Sequence, residues 1–393
     1  MFHQLLPYLG NKRSLLELIS DAIKATGVAP DRATFVDAFA GSGVVSRLAK
    51  QLGFAVIAND WEPYARVINT AAIACDAPPE LPALGGYAQA LATLNDLEGV
   101  DGWVSRHLCP ADDDHADPSR ERMFYRRANG RRIDAIRQRI EQWTARGDCD
   151  DAGAACLLAP LLYQACWLAN TSGVFKGFHA GWGGANGTAL HRILADLQLL
   201  PLRFMSNHRK HRVLDVDAAK LGDAVDDAVD DVVDVAYLDP PYNQHPYASN
   251  YHVLNSLVIW DRPALPPPTQ RGFKAAIRPD WKQRKSAFNH HASAASAFAA
   301  VLANLRARHL LISYSTDGVI PLEQLVAIAA EHGAVRTFHQ PYKRYRTSPT
   351  RPSPRPQNLE FVLHVDCTAR PTASDVDAAL QQLRHADPAS YQV

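Results

Sequence analysis

Residues 34–60, TFVDAFAGSGVVSRLAKQLGFAVIAND, set the architecture of the chain. A short apolar run, 34–37, ends in Asp37. It passes through Ala38, Phe39, Ala40, Gly41, Ser42 and Gly43 into a segment of helical composition, 44–53. A second apolar run, 55–58, ends in Asn59 and Asp60, and 62–74 reads as the next helix. Strand, glycine turn, helix and strand in this order make a β-α-β unit with parallel strands and a right-handed crossover. Glycines between a strand and a helix let the backbone approach a ligand that faces the helix N-terminus. The turn has no third glycine at the dinucleotide spacing, so it is a poor nicotinamide fingerprint, and the chain contains no P-loop motif. Asp60 follows Asp37 by 23 residues. An acid there accepts hydrogen bonds from ribose hydroxyls in nucleotide-type α/β sites, although a helix cap uses the same residue type.

Around this unit the chain divides. Residues 14–25 form an amphipathic helix with Leu15, Leu16, Ile19 and Ile23 on its apolar stripe. After residue 75 the alternation stops, giving way to helical stretches, an acidic turn at 112–114, an Arg-rich segment and a Gly-rich loop at 172–187. Strands resume near Val213, at 235–238, at 309–313 and at 359–365. The expectation is an α/β sheet domain from 1–75 and 205–370, an inserted, mainly helical lobe over 76–204, and a tail at 371–393.

With 47% hydrophobic and 21% charged residues, the 393-residue chain has the composition of a folded globular protein. Its 41 basic and 41 acidic side chains cancel, so net charge names no partner. The signs are nonetheless segregated. Residues 120–139 carry eight Arg against two acids, 336–355 carry six basic residues and no acid, and 215–234 carry eight Asp against one Lys. Basic runs of this kind can face a polyanion or plain solvent. Six scattered cysteines, with no C-x-x-C pair and no His at metal spacing, argue against zinc and against a disulfide framework. No signal peptide and no long apolar span is read, so a cytoplasmic protein that binds neither metal nor membrane is expected.

Residues 238–250, LDPPYNQHPYASN, leave the apolar run that ends at Leu238. Two consecutive prolines stiffen this loop and push Asp239 into extended geometry. It therefore holds one carboxylate (Asp239), the carbonyl of Pro240 followed by Pro241, and one aromatic face (Tyr242) in fixed relation, a set suited to a planar amine.

Tyr8-Leu9-Gly10-Asn11-Lys12, the D-x-F-x-G-x-G of residues 37–43, Asp60 and Asp239-Pro240-Pro241-Tyr242 occur in that order. In this the chain resembles the Dam-like class of N6-adenine DNA methyltransferases. NQHPYASNYH after the loop and SGVFKGFHAGWGG before it resemble modification methylases of type IIS restriction systems in particular. The likeness covers about residues 2–365. It implies a Rossmann-like class I methyltransferase sheet, an inserted target-recognition lobe and the cofactor S-adenosylmethionine, released as S-adenosylhomocysteine. The matching cofactor residues are Tyr8, Asn11, Lys12, Asp37, Phe39, Gly41, Ser42 and Gly43, with Asp60 at the ribose and Asp217, or its neighbour Asp215, at the cofactor adenine.

The implied catalytic residues are Asp239, Pro240, Pro241 and Tyr242, acting on an adenine flipped out of duplex DNA. Candidates for DNA contact are Lys176 and His179 on the Gly-rich loop, Asn250 and Tyr251 after the catalytic loop, and Lys343, Arg344, Arg346 and Arg351 in the basic run; for Asn250 and Tyr251 a packed helix start is the favoured alternative. A cognate restriction endonuclease is an implied partner, the enzyme working as a bacterial or phage-encoded monomer. Cytosine's exocyclic amine and RNA adenine stay open as substrates, though cytosine chemistry more often has Ser before Pro-Pro. A non-catalytic DNA-binding protein on the same fold would show damage at the glycine turn or the Asp239 loop, and neither is damaged.

Overall fold

A computed structural model describes residues 6, 10–226, 232–343 and 357–387. Tyr8, Arg344, Arg346 and Arg351, all expected in the site or at DNA, lie outside the described residues. Seven strands form one sheet: β1 (Thr34–Asp37), β2 (Ala55–Asn59), β3 (Arg212–Leu214), β4 (Val233–Leu238), β5 (Ala307–Ser315), β6 (Ala334–Lys343) and β7 (Gln357–Asp366). Their order is β3-β2-β1-β4-β5-β7-β6. Strands β1 to β5 run parallel, and β7 is antiparallel to both β5 and β6. This is the parallel α/β sheet anticipated from the β-α-β reading, in the Rossmann-like class I methyltransferase arrangement that the resemblance implies.

The order fixes where a ligand can bind. From β1 the chain moves outward through β2 and β3, then returns to the other side of β1 as β4. That reversal is the switch point at which open α/β sheets leave a crevice beyond the strand carboxyl ends. Register sets Asp37 beside Tyr237, so the loops leaving β1 and β4 begin side by side. Both central strands are almost wholly buried, which is why they read as continuous apolar runs. Val36, Ile57, Ala236, Leu310, Ile312, Phe361 and Leu363 belong to the core of this unit. Gly41 (φ 51°) and Gly43 (φ 74°) take left-handed backbone at the turn, where a side chain costs roughly 1–2 kcal/mol.

A second compact unit comprises, among the described residues, 6, 10–11, 62–206 and 247–284. Its core gathers Tyr64, Phe124, Tyr125, Ile136, Leu161, Phe175, Tyr251 and Leu254. It therefore differs from the expected 76–204 lobe by taking in the helices Pro63–Asn69, Tyr247–Asn250 and His252–Ile259. The last of these buries six successive residues, His252 to Leu257, too many for a helix that covers a sheet with one face. The expected helix over 62–74 is an α-helix only to Asn69 and then a π turn, Thr70–Ala74. Strand β6 was not anticipated from the sequence. It is an edge strand, which tolerates Pro341 and the polar Arg336, Thr337, His339 and Gln340 that hide a strand's signal.

Two buried histidines make stability depend on acid. His252 donates a hydrogen bond from Nε2 to the Phe175 carbonyl at 2.8 Å, and burial pushes its pKa down to about 4. His364, beside His309 at 3.2 Å, is likewise pushed down to about 4 by burial and by its neighbour. An unfolded His takes a proton near pH ~6.5, so between there and about 4 the unfolded chain binds more protons. Stability should fall as pH drops through that window, by up to ~1.4 kcal/mol per pH unit per group. Thermal melts at pH 7, 6 and 5 should show a falling Tm. The fall should be shallower in His252→Gln, which keeps a donor and loses the titration.

Among the described residues no helix is long and apolar enough to cross a membrane. Cys109, Cys149, Cys156 and Cys166 are buried thiols.

Candidate active site

Lys12 sits on a 3-10 turn, Lys12–Leu15, that rests on the edge strand: Gln340 Nε2 donates to the Ser14 carbonyl at 3.4 Å, and Ser14 Oγ lies 3.5 Å from the Tyr342 hydroxyl. Its ammonium is buried, 3.1 Å from Asp239 Oδ1, 3.6 Å from Glu360 Oε2 and 4.9 Å from the Tyr242 ring centre. Burial alone would drive the Lys12 pKa down. The facing Asp239, Tyr242 and Glu360 outweigh it and hold Lys12 charged, well above its ordinary value. Burial raises the Asp239 and Glu360 carboxyls, and Lys12 opposes both shifts. One buried cation thus faces two acids.

Beside them, Asp37 is 1% exposed at the end of β1. Ser46 Oγ donates to its Oδ2 at 2.6 Å, while Oδ1 is buried without a hydrogen bond from the described residues. Burial, aided by Asp239 and Asp60 and resisted by Ser46, pushes its pKa up to about 7. Asp60 closes the glycine turn: its Oδ2 accepts the Gly41 N–H at 2.8 Å. Ser42 is buried, and Phe39 packs edge-on against Phe288 at 5.3 Å.

Asn59, at the end of β2, ties the turn to the next segment. Its Nδ2 donates to the carbonyls of Ala38 (3.1 Å) and Val216 (3.2 Å), and its Oδ1 accepts the Val216 N–H (3.1 Å). Asp217, one residue on, is exposed and caps a short 3-10 turn by accepting the Ala219 N–H at 3.0 Å. Asp215 is also exposed. Asn11 donates to the Leu6 carbonyl at 3.4 Å.

The Asp239 loop is tied down at several points. Pro240 is buried, the Tyr242 carbonyl accepts the Val319 N–H at 3.2 Å, and its ring meets Tyr314 edge-on at 5.8 Å. Asn289 Nδ2 donates to the Asn243 carbonyl at 2.6 Å. Lys12, Asp37, Gly41, Gly43, Asp60, Asp239 and Tyr242 therefore all belong to the sheet unit and cluster at the carboxyl ends of β1, β2 and β4. Sequence reasoning missed Glu360 and Asn59. The signal available for Glu360 was an acid inside the apolar run of β7.

In the helical unit, Lys176 is exposed and His179 half-buried on the Gly-rich loop. Asn170 organises that loop. Its Nδ2 donates to the carbonyls of Met123 (3.0 Å), Gly181 (3.2 Å) and His179 (3.3 Å), and its Oδ1 accepts the Gly183 N–H (3.0 Å). Asn250 is buried and its carbonyl accepts the Phe175 N–H at 2.7 Å. Tyr251 is fully buried, stacked on Tyr247 and tilted against Tyr64. The packed-helix alternative describes where both residues lie. Two arginines of the basic segment are also internal: Arg122 donates to four backbone carbonyls and Arg137 to two. Lys343 ends β6. Among the described residues no group of His, Cys, Asp and Glu could hold a metal ion.

A parallel sheet with an antiparallel final strand, a glycine turn after β1 and Asp-Pro-Pro-Tyr after β4 define a methyltransferase. The chain belongs to the D12 class of N6 adenine-specific DNA methyltransferases, whose family model matches residues 8–304. It is 27% identical over 343 residues to the type II methyltransferase M.FokI of Planomicrobium okeanokoites, covering 86% of this chain and 50% of that protein. It is 28% identical over 360 residues to M.NlaIII of Neisseria lactamica, covering 91% and 98%. With M.CviAII of Paramecium bursaria Chlorella virus 1 identity is 29% over 344 residues, covering 86% and 92%. The chain thus spans about half the length of M.FokI and nearly all of M.NlaIII. No solved structure matches it.

Proposed function

We propose that this chain is a site-specific methyltransferase that modifies N6 of adenine in duplex DNA, as the modification part of a restriction-modification system. The observation that carries the reading is the meeting of Asp239 with the β1 glycine turn at the switch point of the sheet, with a buried lysine on the carboxylate. The buried acids fit a cationic cofactor. Asp37 Oδ1 is buried without a hydrogen bond from the described residues, and Asp239 and Glu360 share one ammonium. Such a surplus of negative charge suits a sulfonium and an α-amino group.

S-adenosylmethionine, when bound, supplies the methyl group. Lys12, Asp37, Phe39, Gly41, Ser42 and Gly43 would hold its methionine part, Asp60 its ribose and Asp217 or Asp215 its adenine, with Asn11 as a further cofactor residue. Asp239 and the Pro240 carbonyl each accept one hydrogen of the adenine amine, whose lone pair is otherwise delocalised into the ring. Holding both hydrogens turns the nitrogen toward tetrahedral geometry, and Asp239 stabilises the charge that develops on it. Positioning of this kind can lower a barrier by about 7–11 kcal/mol. Tyr242 stacks on the base, which must leave the duplex at a cost of a few kcal/mol.

On the DNA side, Lys176 and His179 face the phosphates from the loop that Asn170 and Asn250 hold, with Lys343 and the basic residues Arg344, Arg346 and Arg351 as further contacts. The enzyme acts as a monomer with a cognate endonuclease as its genetic partner.

The test is transfer of a labelled methyl from S-adenosylmethionine to duplex DNA, followed by digestion to nucleosides. Label in N6-methyladenine is the expected result. Label in N4-methylcytosine, or no transfer at all, would each overturn the reading.

A further inference from the structure

The glycine turn, the Asp239 loop and Lys12 all enter the proposed reaction, but Glu360 does not. It lies in β7, paired in register with Ser315 at the carboxyl end of β5, and is 3% exposed. A carboxylate this deep is costly unless compensated. Its Oε1 is 3.4 Å from Asn358 Nδ2, which also donates to Ser315 Oγ at 2.6 Å, and its Oε2 is 3.6 Å from the Lys12 ammonium. Lys12 thus stands between two carboxylates, nearer to Asp239.

An ammonium bound wholly to Asp239 would compete with the substrate amine for the same oxygens. We propose that Glu360 is a positioning residue: by drawing on the other side of the Lys12 ammonium, it loosens that ion's hold on Asp239 and leaves the catalytic carboxylate able to accept the amine's hydrogens. This rests on the role given to Asp239 above. The groups facing Asp239 are Lys12, Glu360 across that ammonium, Tyr237 and Tyr242 from its own strand and loop, and Asp37 from β1. Of these, Lys12 and Glu360 are the ones that a single neutral substitution repartitions.

The experiment is a carboxyl NMR titration of the ligand-free protein labelled with ¹³Cγ-aspartate, the Asp239 signal being the one missing from Asp239→Asn. In Glu360→Gln the ammonium is left to Asp239 alone. The Asp239 midpoint should fall by about one pH unit, and kcat should drop roughly tenfold with its acid limb moved down by the same amount. KM for DNA should stay unchanged. Glu360→Asp, which keeps the charge and retracts it, should move the midpoint part of the way and serves if the glutamine variant does not fold. A midpoint in either variant that coincides with the wild type or rises would overturn the proposal. So would a loss of kcat with no shift of the acid limb, which is what a purely structural residue would give. The NMR midpoint needs no turnover. A protein that shows the shift and methylates nothing therefore discards the assigned reaction and keeps the electrostatic link, whereas normal methylation without the shift discards only the role of Glu360.

Discussion

Asp239→Ala should reduce methyl transfer to duplex DNA by about 10³-fold or more, with cofactor binding weakened far less than transfer because Asp37 and Asp60 remain. The loss follows from the amine itself, which is a poor nucleophile until both of its hydrogens are held; without Asp239 only the Pro240 carbonyl remains to accept one. The developing charge on nitrogen also loses its nearest anion. The fold should survive, because the substitution removes one of two acids from a site that has one cation. Lys12 keeps Glu360, so the buried charges then balance. Isothermal titration with S-adenosylmethionine, thermal melting and single-turnover transfer, run on the same preparation, check the three parts of this expectation. Full activity in this variant would sink the assigned mechanism.

Lys12→Met should have the opposite signature, a large loss of stability together with loss of activity. Removing the cation leaves Asp239 and Glu360 buried beside each other without compensation, and breaking a buried pair from one side typically costs ~3–5 kcal/mol. Both carboxyls already sit above their ordinary values through burial, and they rise further once the ammonium that opposes this is gone. An acid whose pKa is raised in the fold is more ionised in the unfolded chain, so the fold is penalised as pH rises from the ordinary carboxylate range upward. Below that range both states are protonated and the penalty vanishes. Urea melts of wild type and Lys12→Met should therefore differ most at pH 8 and converge toward pH 4. A deficit that does not change with pH would mean that lost packing, rather than uncompensated charge, sets the effect.

The legible parts of this molecule are those whose signal is local. Strands β1, β2 and β4 are buried on both faces and read as apolar runs, closed by Asp37, by Asn59 and Asp60, and by Asp239. Strand β6 was not legible because an edge strand keeps polar side chains and a proline that a central strand would exclude. The helix after β2 was legible as a helix but not in its unit, because an apolar stripe such as its Tyr64, Ala65 and Ile68 does not say which core it joins, and here it joins that of the helical unit. Asn59 reads as a loop residue beside Asp60, and only its three hydrogen bonds to Ala38 and Val216 show that it ties β2's end to the neighbouring segment. Tyr251 shows the reverse: an aromatic next to the catalytic loop suggests a base contact, yet its neighbours are Tyr64 and Tyr247.

By itself the sequence determined the β-α-β start, the order of the glycine turn, the second acid and the Asp-Pro-Pro-Tyr loop, and hence the amine chemistry that loop can serve. Those are properties of short windows, in which side-chain polarity and backbone restriction suffice. Only the tertiary structure decided how charge is distributed around the Asp239 carboxylate. Lys12 comes from the start of the chain and Glu360 from its last strand, and it takes the antiparallel insertion of β7 beside β5 to bring that acid to the carboxyl edge where Lys12 and Asp239 meet. Coulomb energy depends on distance and burial, and neither is a function of position along the chain.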